Sequence, residues 1–170
     1  MACVSLLGCA DELANAPAAV QFDACQALVL APDLDAGPEQ LRGISDAVDL
    51  WNRSAATRLS VRLEHDAVTD SHPAASSLPI HFQHAAAPFH GLYDDHDVQI
   101  FINQDLADHA RVVAICHEVG HAFGLVHVAP DERASLMNSG NITIDPTAGD
   151  VGALAARWGR CQPPLASASP

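Results

Sequence analysis

The chain has 170 residues, 49% of them apolar, so it is long enough for one domain with a substantial core and too short for two. Its formal net charge of −13 argues against nucleic acid or an anionic membrane as a partner, because both attract basic surfaces. No apolar run approaches the length of a transmembrane helix, so no transmembrane segment is predicted.

The first nine residues are small, apolar and uncharged, and they end in the motif LLGC at Cys9. This motif resembles a bacterial lipobox, whose cysteine carries a lipid anchor, but no Lys or Arg precedes it and the apolar stretch is short for a signal peptide. Two interpretations of these residues are kept: a truncated lipoprotein signal and an ordinary N-terminus. Because residues 10–22 are rich in Ala and small polar residues, we predict a leader or tether over residues 1–22, one folded domain over 23–161 and a disordered tail over 162–170.

The first half of the domain is predicted to alternate strands with one long helix. Residues 26–30 form an apolar run suited to a buried strand, and residues 59–63 alternate apolar with polar side chains, as in a strand with one buried face. Between them, residues 38–55 carry apolar side chains at three- and four-residue intervals, which predicts an amphipathic helix with one buried face: Leu41, Ile44, Val48 and Trp51.

Three further strands are predicted over residues 78–83, 89–93 and 98–103. The acidic residues 94–97 are typical of a turn, so the last two strands should form a hairpin. Strands early in the chain, with one helix between the first two and another after the last, predict an α+β domain in which helices pack on a mixed sheet.

The next helix is predicted to begin at a cap provided by Asp105. It leads into residues 117–127, which read HEVGHAFGLVH. On a helix, His117 and His121 lie one turn apart on the same face. His127 would lie about 9 Å further along if the helix continued, so the helix must end before it. Glycine accepts the left-handed backbone that ends helices, and the glycine at position 124 is placed to end this one.

Three neutral imidazoles leave a tetrahedral zinc ion one open position for water, which is the arrangement of a catalytic site. Glu118 follows the first predicted ligand, and we predict that it is the general base that acts on this water and then carries the proton to the leaving amine. The alternative is a non-catalytic zinc-binding module, in which the site stabilises the fold or binds a partner.

The motif over residues 117–127 matches the long zinc motif of the metzincin metallopeptidases, and Met137, ten residues after His127, matches their Met-turn. The resemblance implies an α/β (α+β) single domain with a twisted, mixed five-stranded sheet, a backing helix, an active-site helix, the Met-turn and a C-terminal helix. It also implies a zinc-dependent endopeptidase that acts on protein or peptide substrates. Met137 would form the hydrophobic floor beneath the three imidazoles.

A last helix is predicted after the capping pattern of residues 147–150, and its apolar face ends at Gly159. The order of zinc helix, Met-turn and this helix resembles the matrixin branch of the metzincins most. We predict an extracytoplasmic enzyme, either secreted or, through the lipobox-like motif at Cys9, anchored by lipid to a bacterial membrane. Val128 departs from the matrixin pattern, in which Ser usually follows the third histidine.

Cys25 and Cys161 are the predicted disulfide pair, because Cys116 lies in the active-site helix, where a small buried side chain is expected. Matrixins hold a structural zinc and a calcium in the region equivalent to residues 65–97. The family spacing is absent here, which favours solvated loop histidines over a second metal site. The histidines outside the zinc motif are His65, His72, His81, His84, His90, His96 and His109.

The strand over residues 89–93 is also predicted to bind substrate. If it is the antiparallel edge of the sheet, its outer backbone groups are unpaired, and an extended peptide can add to it as a further strand. Side-chain preference would then depend on a pocket whose wall is the loop over residues 138–145.

Overall fold

A computed structural model of the protein describes residues 16–62 and 76–162. The motif that ends at Cys9 and the tail after residue 162 lie outside these residues. The described strands and helices follow one another in this order: β1 (Ala27–Pro32), α1 (Pro38–Ala55), β2 (Arg58–Val61), β3 (Ser76–Gln83), β4 (Gly91–Asp94), β5 (Gln99–Asn103), α2 (Asp108–Ala122) and α3 (Ala148–Trp158).

The five strands form one mixed sheet in the order β2-β1-β3-β5-β4. The first three neighbouring pairs are parallel, and β4 pairs antiparallel with β5 in the predicted hairpin. Strand β4 is therefore an edge strand, as predicted, although it begins two residues later than expected. The mixed five-stranded sheet with helices packed on it is confirmed.

Helices α1 and α2 pack against each other through Trp51, which is fully buried. Its indole N–H donates to the Cys116 carbonyl at 3.0 Å, and its ring meets the Phe123 ring at 83° with 5.9 Å between centroids. Cys116 is a free, buried thiol, as predicted. These contacts hold α2 on the core.

The predicted start of α2 at Asp105 is wrong, because the helix begins at Asp108 with Ala107 as its N-cap. The Asn103 side chain accepts a hydrogen bond from the Asp105 N–H at 3.1 Å, and the Asp105 carboxylate lies 2.9 Å from His84 Nδ1. A turn therefore precedes the helix, and the carboxylate is engaged with the β3–β4 connection.

The two ends of the described chain meet near α3. Cys25 and Cys161 form a disulfide, which confirms the predicted pair. Residues 16–22 were predicted to belong to a tether, yet the Phe22 N–H donates to the Ala122 carbonyl at 2.8 Å and the Phe22 side chain packs against the core. Phe22 therefore packs on the core next to α2. No helix in the described ranges combines the length and the apolar character needed to cross a bilayer.

Candidate metal centre

The end of α2 brings three histidines together. Gly124 has φ +84°, and its N–H donates to the His121 carbonyl at 2.8 Å, while the Leu125 N–H donates to the Gly120 carbonyl at 2.9 Å. These bonds close the helix with a left-handed glycine, as predicted, and the chain turns back. His127 thereby returns to the face that carries His121.

The imidazoles converge through their Nε2 atoms. His127 Nε2 lies 3.1 Å from His117 Nε2 and 3.2 Å from His121 Nε2. Nitrogens about 2.0–2.1 Å from one tetrahedral zinc ion are about 3.3 Å apart, so the spacing fits zinc. Among the residues with a described position, this trio is the group of His, Cys, Asp and Glu side chains able to hold a metal ion.

Backbone carbonyls orient two of these rings. His117 Nδ1 lies 2.8 Å from the Leu136 carbonyl and His121 Nδ1 lies 3.0 Å from the Leu125 carbonyl. A protonated Nδ1 leaves the Nε2 lone pair free for the metal. Burial, reinforced by the neighbouring imidazoles, lowers the pKa of His117 to about 3 and that of His121 to about 4. Both rings are therefore neutral near pH 7, the form that binds a metal.

Glu118 lies between α2 and the edge strand. It is 6% exposed, and its Oε2 accepts the Tyr93 N–H at 2.8 Å. A Cβ at Gly91 would lie 2.9 Å from Glu118 Cγ, so only glycine permits this close approach. Burial raises the pKa of Glu118 to about 8, although the Tyr93 N–H acts in the opposite direction. A carboxyl group with such a pKa can both accept and release a proton near neutral pH.

This contact corrects one prediction about the edge strand. In an antiparallel pair, alternate residues turn their N–H and C=O groups toward the partner strand. The Asn103 N–H donates to the His90 carbonyl, so His90 faces β5, and Gly91 and Tyr93 face away from it. The outward N–H of Tyr93 is not unpaired, because Glu118 accepts it.

The Met-turn is fastened from below by Asp150, at the start of α3. Asp150 is 1% exposed, and its carboxylate accepts hydrogen bonds from the Ser135 hydroxyl, from the Leu136 N–H at 3.0 Å and from the Thr147 N–H and hydroxyl at 2.8 Å each. The same Leu136 supplies the carbonyl that orients His117. The capping pattern predicted over residues 147–150 is confirmed, with Thr147 as the N-cap and Asp150 as the third helical residue, but the bonds of Asp150 to the Met-turn were not foreseen.

Met137 is 1% exposed and lies against the active-site helix. A Cβ at Gly120 would come within 2.6 Å of the Met137 sulfur, so the thioether occupies the space that a side chain would fill. Because Gly120 precedes His121 on α2, this packing sets the height of the helix above the Met-turn.

A cleft of about 590 Å³ opens over the three histidines. Strand β4 and the residues just before it form one wall, residues 139–141 form another, and residues 16–19 line it as well. Part of the predicted loop over 138–145 thus lines the cleft. The Asn141 amide holds this loop by donating to the Leu136 carbonyl at 3.0 Å and to the Ile144 carbonyl at 2.8 Å.

The remaining histidines with described positions lie apart from this centre or at its rim. His81, His84 and His96 contact a carboxylate through Nδ1, at 2.8 Å from Asp33, 2.9 Å from Asp105 and 2.8 Å from Asp97. His109 Nε2 lies 3.6 Å from Asp145, and His90 lines the cleft. His65 and His72 lie outside the described residues.

No protein-family model matches the chain, and no curated protein sequence matches it significantly. Among solved structures, two of myroilysin are similar with a TM-score of 0.55 each; they are 11% and 10% identical, and the matches cover 83% and 84% of this chain and 83% and 87% of theirs. Archaemetzincin from Methanopyrus kandleri matches with a TM-score of 0.52 and 15% identity over 83% of this chain and 99% of its own. The chain has a metzincin-like fold. At these identities the likeness concerns the fold, and the chemistry has to be argued from the side chains.

Proposed function

We propose that this protein is a zinc-dependent endopeptidase. The observation that carries the proposal is a buried carboxylate, Glu118, next to a trio of imidazoles whose Nε2 atoms converge at zinc spacing in an open cleft. A closed structural site fills all four zinc positions with protein ligands, whereas three ligands leave one position for water. The metzincin-like fold supports the same function.

His117, His121 and His127 would hold the metal, which when bound supplies Lewis acidity toward a water and a peptide carbonyl. Glu118 takes a proton from that water and delivers it to the leaving amine. Tyr93 keeps the carboxylate on the cleft side of α2 through its backbone N–H. Met137 supports the metal-binding helix from below.

We propose that an extended peptide lies along the outward edge of β4. Gly91 and Tyr93 turn their carbonyls, and Gly91 its N–H, away from β5, so these groups are positioned to pair with a substrate backbone. Side-chain selection would occur at the wall formed by residues 139–141, within the predicted specificity loop over 138–145.

We propose further that the enzyme is matrixin-like and works outside the cytoplasm, either secreted or anchored by a lipid at Cys9. The Cys25–Cys161 disulfide supports an oxidising compartment. The matrixin assignment rests on the order of the zinc helix, the Met-turn and the last helix.

The test is to compare the zinc-loaded chain with Glu118→Gln on a broad peptide library. Loss of a general base costs about 10²–10⁴ in rate, so we expect kcat/KM to fall by about 10³ while zinc content stays near one ion per chain. A chelator should abolish wild-type cleavage. Glu132→Gln is the matched control, because Glu132 is exposed on the loop after His127.

Undiminished cleavage by Glu118→Gln would refute the assigned base. A wild-type protein that binds zinc tightly but cleaves no peptide in the library would instead be the non-catalytic zinc-binding module.

A further inference from the structure

Residues 16–19 line the same cleft as the zinc-binding histidines. The segment is held at several points: the Ala19 N–H donates to the Asp95 carboxylate, the Tyr93 hydroxyl donates to the Val20 carbonyl at 2.9 Å, and the Phe22 N–H donates to the Ala122 carbonyl at 2.8 Å. Six residues after Ala19, Cys25 is bonded to Cys161. The segment is therefore anchored from both β4 and α2.

These anchors lie at one end of the edge strand. Strand β4 runs from Gly91 to Asp94, and Ala19 and Val20 are bound to the residues at and just beyond its C-terminal end. The proposed base, Glu118, lies against Gly91 and accepts the Tyr93 N–H, so its carboxylate faces the edge from Gly91 to Tyr93. The reacting bond of a substrate therefore belongs along this stretch, and residues 16–19 lie further along the same edge, toward Asp95.

A bound peptide has a preferred direction along this edge. Antiparallel pairing is the more stable arrangement, and a peptide that runs antiparallel to β4 points its N-terminal side toward Asp95. Its C-terminal side then passes Gly91 and leaves the edge at the end away from the N-terminal segment.

We propose that residues 16–19 close the cleft at its Asp95 end, so that the enzyme accepts only about two or three substrate residues before the scissile bond, at about 3.3 Å per extended residue. This proposal rests on the proposed peptidase function. It assigns a specificity-determining role to the segment and to Asp95, and it defines the substrate class as peptides cut close to their N-terminal end or at exposed, short N-terminal extensions.

The first test is a peptide series with one scissile bond, lengthened separately on each side. With the full, zinc-loaded chain, kcat/KM should rise up to about three residues before the scissile bond and then stop rising or fall. Lengthening the C-terminal side should bring no such limit. A rise that continues through the sixth residue before the bond would overturn the proposal, and so would a limit found only on the C-terminal side.

Two matched variants test whether the segment sets this limit. Asp95→Asn weakens the acceptor of the Ala19 N–H, whereas Asp97→Asn removes the same charge from the same turn, where the Asp97 carboxylate contacts His96. Asp95→Asn should raise kcat/KM for the longest peptides about tenfold relative to short ones, since a hydrogen bond to a charged group is lost. Asp97→Asn should keep the wild-type profile; equal profiles for Asp95→Asn and wild type would count against the proposal.

Hydrogen exchange provides a readout that needs neither metal nor turnover. The amides of Ala19 and Phe22 should exchange slowly in the full chain. In Asp95→Asn the exchange rate of the Ala19 amide should rise about tenfold, while the Phe22 amide stays protected. An Ala19 amide that exchanges at the unprotected rate in the wild type would show that residues 16–19 do not close the cleft. Absence of any cleavage would refute the proposed peptidase function. Cleavage without a length limit would refute only the proposal that residues 16–19 close the cleft.

Discussion

Glu118 and His117 are consecutive residues of α2, yet two separate walls hold them, one lining the cleft and one packed beneath the histidines. The β4 wall, residues 91–94, gives a backbone N–H to the Glu118 carboxylate, while the Met-turn wall, residues 135–138, gives a backbone carbonyl to His117 Nδ1. The N–H suits Glu118 because a carboxylate accepts hydrogen bonds. The carbonyl suits His117 because it accepts the proton that the imidazole must keep on Nδ1.

The two walls are also built differently. The Met-turn wall depends on a buried charge, because the Asp150 carboxylate binds its backbone and hydroxyl groups. The β4 wall depends on close packing, because Glu118 fills the space that a side chain at position 91 would need. We therefore expect that substitutions in the Met-turn wall weaken metal binding and that substitutions in the β4 wall weaken proton transfer.

The largest effect is expected from Asp150→Asn. The side-chain NH₂ of the introduced asparagine would face groups that now donate hydrogen bonds to the Asp150 carboxylate, so the free energy of unfolding should fall by about 3 kcal/mol. Because Leu136 then moves with His117, zinc affinity should weaken by about 10–100-fold, as measured by competition with a chelating dye. Zinc affinity equal to that of the wild type would show that the Met-turn does not position the ligand.

The pH dependence of stability tests the same carboxylate. Burial raises the pKa of Asp150, but hydrogen bonds from Ser135, Thr147 and Leu136 outweigh it and leave the pKa below its ordinary value of 3.8. A carboxyl with a depressed pKa stabilises the fold above its ordinary pKa and loses that contribution as the pH falls through the folded value. The difference in unfolding free energy between wild type and Asp150→Asn should therefore be constant near pH 7 and shrink below pH ~4.

Gly91→Ala should have the next largest effect, on turnover alone. The new Cβ would lie 2.9 Å from Glu118 Cγ and Oε1 and 3.1 Å from Ile102 Cδ1, so the carboxylate must shift. A displacement of about 1 Å at a reacting group costs up to about 10² in rate, so kcat should fall by 10–100-fold with zinc affinity unchanged. Gly152→Ala is the control, because nothing lies within 4 Å of a Cβ there. A parallel loss of zinc would mean that the two walls are coupled.

Met137→Leu should have the smallest effect. The exchange nearly conserves volume, so it should cost less than about 1.5 kcal/mol of stability, measured by urea unfolding. Gly120→Ala attacks the same contact from the helix, where the added Cβ would meet the Met137 sulfur at 2.6 Å, and should cost about 1–3 kcal/mol. A larger cost for Met137→Leu than for Gly120→Ala would contradict simple packing and point to a specific role for the sulfur.

Local signals accounted for the elements that the sequence predicted well. Helix α1 has the predicted bounds, because Pro38 opens it and its apolar spacing is regular. The return of His127 followed from Gly124, whose left-handed backbone is a local requirement. The start of α2 was missed because Asp105 has the composition of a cap, but its carboxylate is engaged by His84, which lies 21 positions earlier in the chain.

By itself, the sequence determined the fold class, through the order and periodicity of its strands and helices. It also determined the grouping of the three histidines with the adjacent carboxylate, because a helical turn and one glycine act over fewer than a dozen residues. Only the tertiary structure decided what holds each group. Tyr93 meets Glu118 across 25 positions, Asp150 meets Leu136 across 14, and Ala19 meets Asp95 across 76. Such contacts depend on how the sheet edge, the Met-turn and the N-terminal segment pack in space, and no periodicity in the chain records that packing.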